Sequence, residues 1–257
     1  MAVDPSIHLA EPDAAPARLE AIGVTKRFAG LIAVNAVDFS AGQDEIVGLI
    51  GPNGAGKTTL FNLMSGFIGL DIGDVRLGGV SIGRRRPHEV ARLGLARTFQ
   101  ICKPFADLGV LENVITAAYV HAAGYREALE RSEEVLQRLG LYAKRAQFAR
   151  HLTLPDLKRL ELARALATRP RFLLLDEVMA GLNLKEQHDV AAMIEAIHLS
   201  GTGIVLVEHS IAMIVRLSRR VVVLDNGSKI ADGAPREVMS NAAVRAAYLG
   251  MEDGGNA

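Results

Sequence analysis

Nine residues, GPNGAGKTT, run from Gly51 to Thr59 and fit the pattern G-x-x-x-x-G-K-[ST] at Gly51, Gly56, Lys57 and Thr58. The chemistry this spacing serves is anion capture. Gly51, Gly54 and Gly56 let successive backbone N–H groups curl around phosphate oxygens, and Pro52, Asn53 and Ala55 complete the loop. The helix that Lys57, Thr58 and Thr59 open adds the positive end of its dipole. Lys57 would reach the β- and γ-phosphates of ATP, and the Thr58 hydroxyl would be offered to Mg²⁺. A second stretch, RFLLLDE, carries four apolar residues from Phe172 to Leu175 and ends in two acids, Asp176 and Glu177. Carboxylates at the end of such a strand would sit beside the phosphates, Asp176 on the metal and Glu177 polarising an attacking water. A third, GIVLVEH, ends another apolar run in Glu208 and His209. A lone histidine is more often structural, but at that position His209 is a candidate for the same site.

These residues need a parallel sheet to hold them. EIVGLI, RFLLLDE and GIVLVEH read as strands buried on both faces, each with a helical segment after it. LEAIGVTKRF and LIAVNAVDFSAG read instead as antiparallel strands with a turn near Gly30, and DVRLGGVSIG as a hairpin at Gly78-Gly79. Phe28, between the first two, either packs or stacks on an adenine ring. PHEVARLG is a short helix with proline in its first turn, and LARTFQ a strand running to Gln100. LGVLENVITAAYVHAAG and YREALERSEEVLQRLG then break the α/β alternation, the second showing a helical face at Ala128, Ser132, Val135 and Leu139. LKRLELARALATRP is a helix that Pro170 closes, and RRVVVLDNGSKIADG a last hairpin around Asn226-Gly227. The division expected is a disordered tail over 1–18, a first core part with the antiparallel region over 19–99, a helical subdomain over 100–155, a second core part over 156–250, and a tail over 251–257. The fold class is α/β, a P-loop ATPase core with an antiparallel β subdomain and an inserted helical subdomain.

Lys plus Arg and Asp plus Glu number 29 each, so the net charge gives no argument for a nucleic-acid partner. No run approaches the ~20 apolar residues of a membrane span. The first twenty residues have no basic region followed by an apolar core, so they do not read as a signal peptide. The single cysteine, Cys102, fits a reducing compartment and reads as a small buried hydrophobe. The basic run Arg84, Arg85, Arg86 reads as a solvated loop.

Taken in order, GPNGAGKTT, a glutamine ending TFQ, a helical insert, ARALA, LLLDE and a histidine after LVE make a chain that resembles the ATP-binding subunit of an ABC transporter over roughly residues 19–250. AVNAVDF, GLIGPNGAGKTTLFNLMSGF, ARLGLARTFQICKPF, LENV and AYLG resemble the ATPases of branched-chain amino-acid importers in particular. The resemblance implies that Phe28 stacks on adenine, that Gln100 senses Mg²⁺ where the ATPase meets its permease, and that Asp176 binds the metal. It implies that Glu177 is the catalytic glutamate and that His209 contacts the γ-phosphate. It further implies a head-to-tail ATPase dimer on the cytoplasmic face of a membrane permease, fed by a solute-binding protein.

Three departures set it apart from that family. The signature LSGGQ stands as LTLPD, residues 152–156; the proline after LLLDE is Val178; and Asn183 takes the aspartate position in AGLNL. Thr153 can keep a hydroxyl for the partner's γ-phosphate, but Leu154 resists glycine conformations, Pro155 has no N–H, and Asp156 brings negative charge. The same segment also reads as a helix start, with Thr153 as N-cap and Asp156 three residues on. The expectation is a heterodimer with a second ATPase whose signature is intact. The helical insert, beginning ICKPFADLGVL, is the expected permease contact. Two other functions fit the same residues: a soluble ABC ATPase in an assembly or chaperone role, and an ATP-binding scaffold that hydrolyses little.

Overall fold

A computed structural model describes residues 17–99 and 103–249. Its strands are β1 (Arg18–Phe28), β2 (Leu31–Gly42), β3 (Ile46–Ile50), β4 (Ile72–Leu77), β5 (Val80–Ser81), β6 (Leu95–Arg97), β7 (Phe172–Asp176), β8 (Gly203–Val207), β9 (Arg220–Asp225) and β10 (Ser228–Gly233). Its helices are α1 (Lys57–Met64), α2 (Pro87–Arg92), α3 (Val110–Ala118), α4 (Tyr125–Arg138), α5 (Leu154–Ala167), α6 (Leu184–Leu199), α7 (Ile211–Leu217), α8 (Pro235–Ser240) and α9 (Ala242–Leu249).

Turn chemistry shapes the antiparallel sheet, whose order is β2-β1-β4-β5. Ala29-Gly30 has φ of 42° and 93°, and Gly78-Gly79 has 56° and 80°. Positive φ at both central residues gives the two-residue hairpin whose twist matches the strands it joins. Asn226-Gly227, at 45° and 76°, does the same between β9 and β10.

The second sheet runs β10-β9-β3-β8-β7-β6, parallel except for β10 at the edge. Every residue of β3, β7 and β8 is buried. Alternation explains how both faces are filled. Phe172, Leu174, Val205 and Val207 point into a core shared with α1 and the antiparallel sheet. Leu173, Leu175, Ile204 and Leu206 point into a core shared with the helical block. Continuous apolar runs are what a sheet covered on both sides requires.

In the helical block α3 packs on α4 and α5. Ala128, Ser132, Val135 and Leu139 are all buried, joined by Leu136 and Arg131. The Arg131 guanidinium pairs with Glu127 at 2.5 Å and reaches the carbonyls of Ala118 and Ala167, tying α4 to the ends of α3 and α5.

Several expected borders move. Ala17 is buried and β1 starts at Arg18, inside the expected tail. β6 stops at Arg97 instead of running on; Gln100 and Cys102 lie outside the described residues. α5 begins at Leu154 and packs on α3 and α4, so the expected border at 155 falls in its first turn. No helix among the described residues is long and apolar enough to cross a membrane.

Candidate functional site

The glycine loop leaves β3 and enters α1. At Gly51 and Gly56 its backbone is pressed so close to its neighbours that a side chain is excluded. A Cβ on Gly51, at φ 150°, would stand 2.1 Å from the Leu224 carbonyl oxygen, and one on Gly56, at φ 100°, 2.5 Å from that of Ala33. Gly227 N–H donates to the Ala55 carbonyl at 3.1 Å, so the β9–β10 turn braces the loop from one side. Tyr248 of α9 reaches it too: burial raises its phenol above the usual range, and a hydrogen bond from the Gly51 backbone opposes that rise.

Lys57 folds back over the loop, its Nζ donating to the carbonyls of Gly51 at 2.7 Å and Pro52 at 2.8 Å. Burial lowers its pKa, while the charges of Glu177 and Asp176 pull the other way. The lysine therefore feels both acids although they lie more than a hundred residues away in sequence. Thr58 is exposed, and it lines with Asp176 one cavity of about 650 Å³.

Asp176 ends β7 with a buried side chain, and its Oδ2 accepts from Arg97 Nη2 at 2.8 Å. Arg97 also donates to Asn62 Oδ1 at 2.5 Å and lies 5.4–5.8 Å from the rings of Phe61, Phe67 and Phe99. A guanidinium thus joins the acid at the end of β7 to the helix that follows the glycine loop. Glu177 has φ 52°, left-handed for a residue with a side chain, a conformation costing on the order of 1–2 kcal/mol. His209 Nε2 donates to its Oε1 at 2.9 Å. Glu208, 7% exposed, accepts from Met179 N–H at 2.8 Å. Burial drives its carboxyl up to about 7 against that hydrogen bond, with the Glu177 charge adding to the rise.

The fold therefore brings the loop, Lys57, Thr58, Asp176, Glu177 and His209 together. Phe28 is 45% exposed at the end of β1, with Lys26 Nζ 5.5 Å from its ring centroid. Gln100 lies outside the described residues. Thr153 stands at the N-cap of α5, but it does not cap. Its hydroxyl donates to Asp156 Oδ2 at 2.8 Å, and Asp156 also pairs with Lys144. Burial alone would raise Asp156; the Lys144 and Thr153 hydrogen bonds outweigh it and hold the carboxyl below its ordinary value. The charge expected of Asp156 is thus compensated within the chain. Asn183 has a plain local role: its side chain accepts from Glu186 N–H at 3.0 Å while Glu186 accepts from its own N–H at 2.9 Å, a reciprocal cap on α6.

Arg97, Glu208 and Tyr248 are absent from the residues expected from sequence. A lone arginine in LARTFQ and an acid beside the histidine of LVEH were the available signals.

Known proteins match this arrangement. The ABC transporter family model matches residues 34–180, and the model for branched-chain amino acid ATP-binding cassette transporters matches residues 228–253. The high-affinity branched-chain amino acid transport ATP-binding protein BraF of Pseudomonas aeruginosa is 38% identical over 248 residues, covering 90% of this chain and 97% of that protein. Its counterpart LivG of Escherichia coli K12 is 37% identical over 244 residues, covering 89% and 96%. The crystal structure of an ABC transporter's ATP-binding cassette in its ADP conformation superposes with a TM-score of 0.83 at 26% identity, covering 92% of this chain and all of that one. With the glycine loop, the acids after β7 and the His209 contact gathered in one place, the chain belongs to the ABC transporter family, as a transporter's ATP-binding cassette.

Proposed function

We propose that the chain hydrolyses ATP to drive uptake of branched-chain amino acids through a separate membrane permease, from the cytoplasmic face. The observation that carries this is Glu177, held at the end of β7 with its carboxylate 2.9 Å from His209 and its field felt at Lys57. Residues 51–59 hold the phosphates. Glu177 takes the proton of the attacking water, and His209 orients that carboxylate and faces the γ-phosphate. Hydroxyl and carboxylate oxygens suit Mg²⁺, which keeps few protein ligands and binds through substrate phosphates. Thr58 and Asp176 supply such a pair on one cavity wall. The family resemblance adds Gln100 as a sensor of that metal and gives Phe28 the adenine to stack on. A bound metal would supply charge neutralisation on the phosphates. The names of BraF and LivG support the solute class.

The cavity beside Asp176 supports permease docking at the border of the helical block. Phe67 and Phe99, in edge-to-face contact at 5.3 Å, line it with Ala117, Lys103 and Arg164.

The partner ATPase is a second, related chain. Residues 152–156 have little to give a phosphate across a dimer: the Thr153 hydroxyl is engaged, Asp156 is a paired acid, and Pro155 has no N–H. One lost hydrogen bond to a charged group is worth about 1.5–3 kcal/mol, which is roughly ten- to a hundredfold in rate if made only in the transition state. A complex purified through a tag on this chain is expected to hold permease subunits and a second ATPase. With Glu177→Gln here, restoring LSGGQ through Thr153→Ser, Leu154→Gly, Pro155→Gly and Asp156→Gln should raise the residual ATPase about tenfold. No rise would make LTLPD a competent variant, and a complex with two copies of this chain alone would remove the heterodimer.

A further inference from the structure

Successive residues at the end of β8 hold the turn that carries Glu177. The Val207 carbonyl accepts from Glu177 N–H at 2.9 Å, Glu208 Oε1 accepts from Met179 N–H at 2.8 Å, and His209 Nε2 donates to Glu177 Oε1 at 2.9 Å. From the other side Lys158 of α5 donates its Nζ to the Glu177 carbonyl at 3.3 Å. Glu208, Lys158 and Met179 are 7%, 3% and 2% exposed, so these contacts are made away from water. What they hold is a left-handed backbone at a residue that is not glycine, Glu177 at φ 52°. Such a conformation persists only where its surroundings over-determine it. Of the contacts, only the histidine has been given a part in the chemistry. A buried carboxylate whose visible task is to accept one backbone N–H is costly to keep, and here that N–H, of Met179, sits two residues beyond Glu177.

We propose that Glu208 is a positioning residue for Glu177: by accepting the Met179 N–H it fixes the turn in the one backbone conformation that aims the Glu177 carboxylate at the attacking water. This rests on Glu177 being the general base. Lys158 secures the same turn from α5, the helix that LTLPD leads into, so displacement of that segment reaches the Glu177 carbonyl through one side chain. The role needs an acceptor at the Oε1 position and does not need a charge. Misplacing a catalytic group by about an ångström can cost on the order of 10²-fold in rate.

The test is steady-state ATPase of the assembled transporter with Glu208→Leu, Glu208→Asp, Glu208→Gln and Glu177→Gln in this chain, with ATP affinity measured beside it. Glu208→Leu should lower kcat about ten- to a hundredfold, with KM and Kd for ATP unchanged. Glu208→Asp, which keeps the charge but withdraws the acceptor by one methylene, should do the same and serves if the leucine variant fails to fold. Glu208→Gln, whose amide oxygen still reaches Met179 N–H, should recover most of the turnover. Wild-type kcat in folded Glu208→Leu or Glu208→Asp would overturn the proposal. So would a Glu208→Gln protein as slow as the leucine variant, or a fall in affinity matching the fall in kcat. If those results come with Glu177→Gln reduced to the residual rate of the partner's site, only the role of Glu208 is lost. Wild-type turnover in Glu177→Gln would instead overturn the general base itself.

Discussion

Glu177→Gln should bind ATP as tightly as the wild-type chain and, at the site built by this chain's own glycine loop, turn over about 10²–10⁴-fold more slowly. The substitution keeps the shape of the side chain and one oxygen for His209, which donates to Glu177 Oε1 at 2.9 Å. It removes the basic oxygen pair that can take a proton from water. Nucleotide affinity should stay because the proposed site puts the phosphates on the loop amides and Lys57, not on this acid. Losing a negative charge that acts on Lys57 should, if anything, ease the approach of a polyanion. Single-turnover hydrolysis with equilibrium binding in parallel separates the two effects. Near wild-type turnover would mean that another group is the base.

Lys57→Ala should weaken ATP binding roughly 30- to 1,000-fold, about 2–4 kcal/mol. The ammonium lies over the loop on the carbonyls of Gly51 and Pro52, at 2.7 and 2.8 Å, and is partly desolvated. A cation already stripped of part of its water gives more to a phosphate than one on an open surface. Lys57→Arg should not restore it, since a planar fork does not replace a compact ammonium beneath a closed loop. Titration calorimetry reads both, and unchanged affinity in Lys57→Ala would contradict the assignment of residues 51–59.

What could be read from the chain was local. Gly78-Gly79 and Asn226-Gly227 declare their hairpins because only certain residues accept positive φ at both turn positions. The run from Phe172 to Leu175 declares a strand covered on both faces, and the four-residue spacing of Ala128 and Ser132 a helix packed on one side. What could not be read was pairing across distance. Arg97 meets Asp176 across 79 residues, and Met179 meets Glu208 across 29. No spacing rule links either pair; the register of β6, β7 and β8 does. Thr153 shows the limit of a cap motif: its position is that of an N-cap, but Asp156 takes its hydroxyl and Lys144, on a different segment, takes the acid. The expected border at 155 falls inside α5, which starts at Leu154 and packs on α3 and α4.

The central claim is that ATP hydrolysis at Glu177 drives amino-acid uptake, and it is tested most directly by transport in proteoliposomes. The complex purified through this chain is reconstituted with its solute-binding protein outside and Mg-ATP inside, and accumulation of labelled leucine is followed for the wild-type and Glu177→Gln chains. The account predicts accumulation against the gradient with the wild-type chain, competed by isoleucine and valine, and loss of nearly all of it with Glu177→Gln. Equal accumulation by the two complexes, or no ATP-dependent accumulation of a branched-chain amino acid by the wild-type complex, would contradict it.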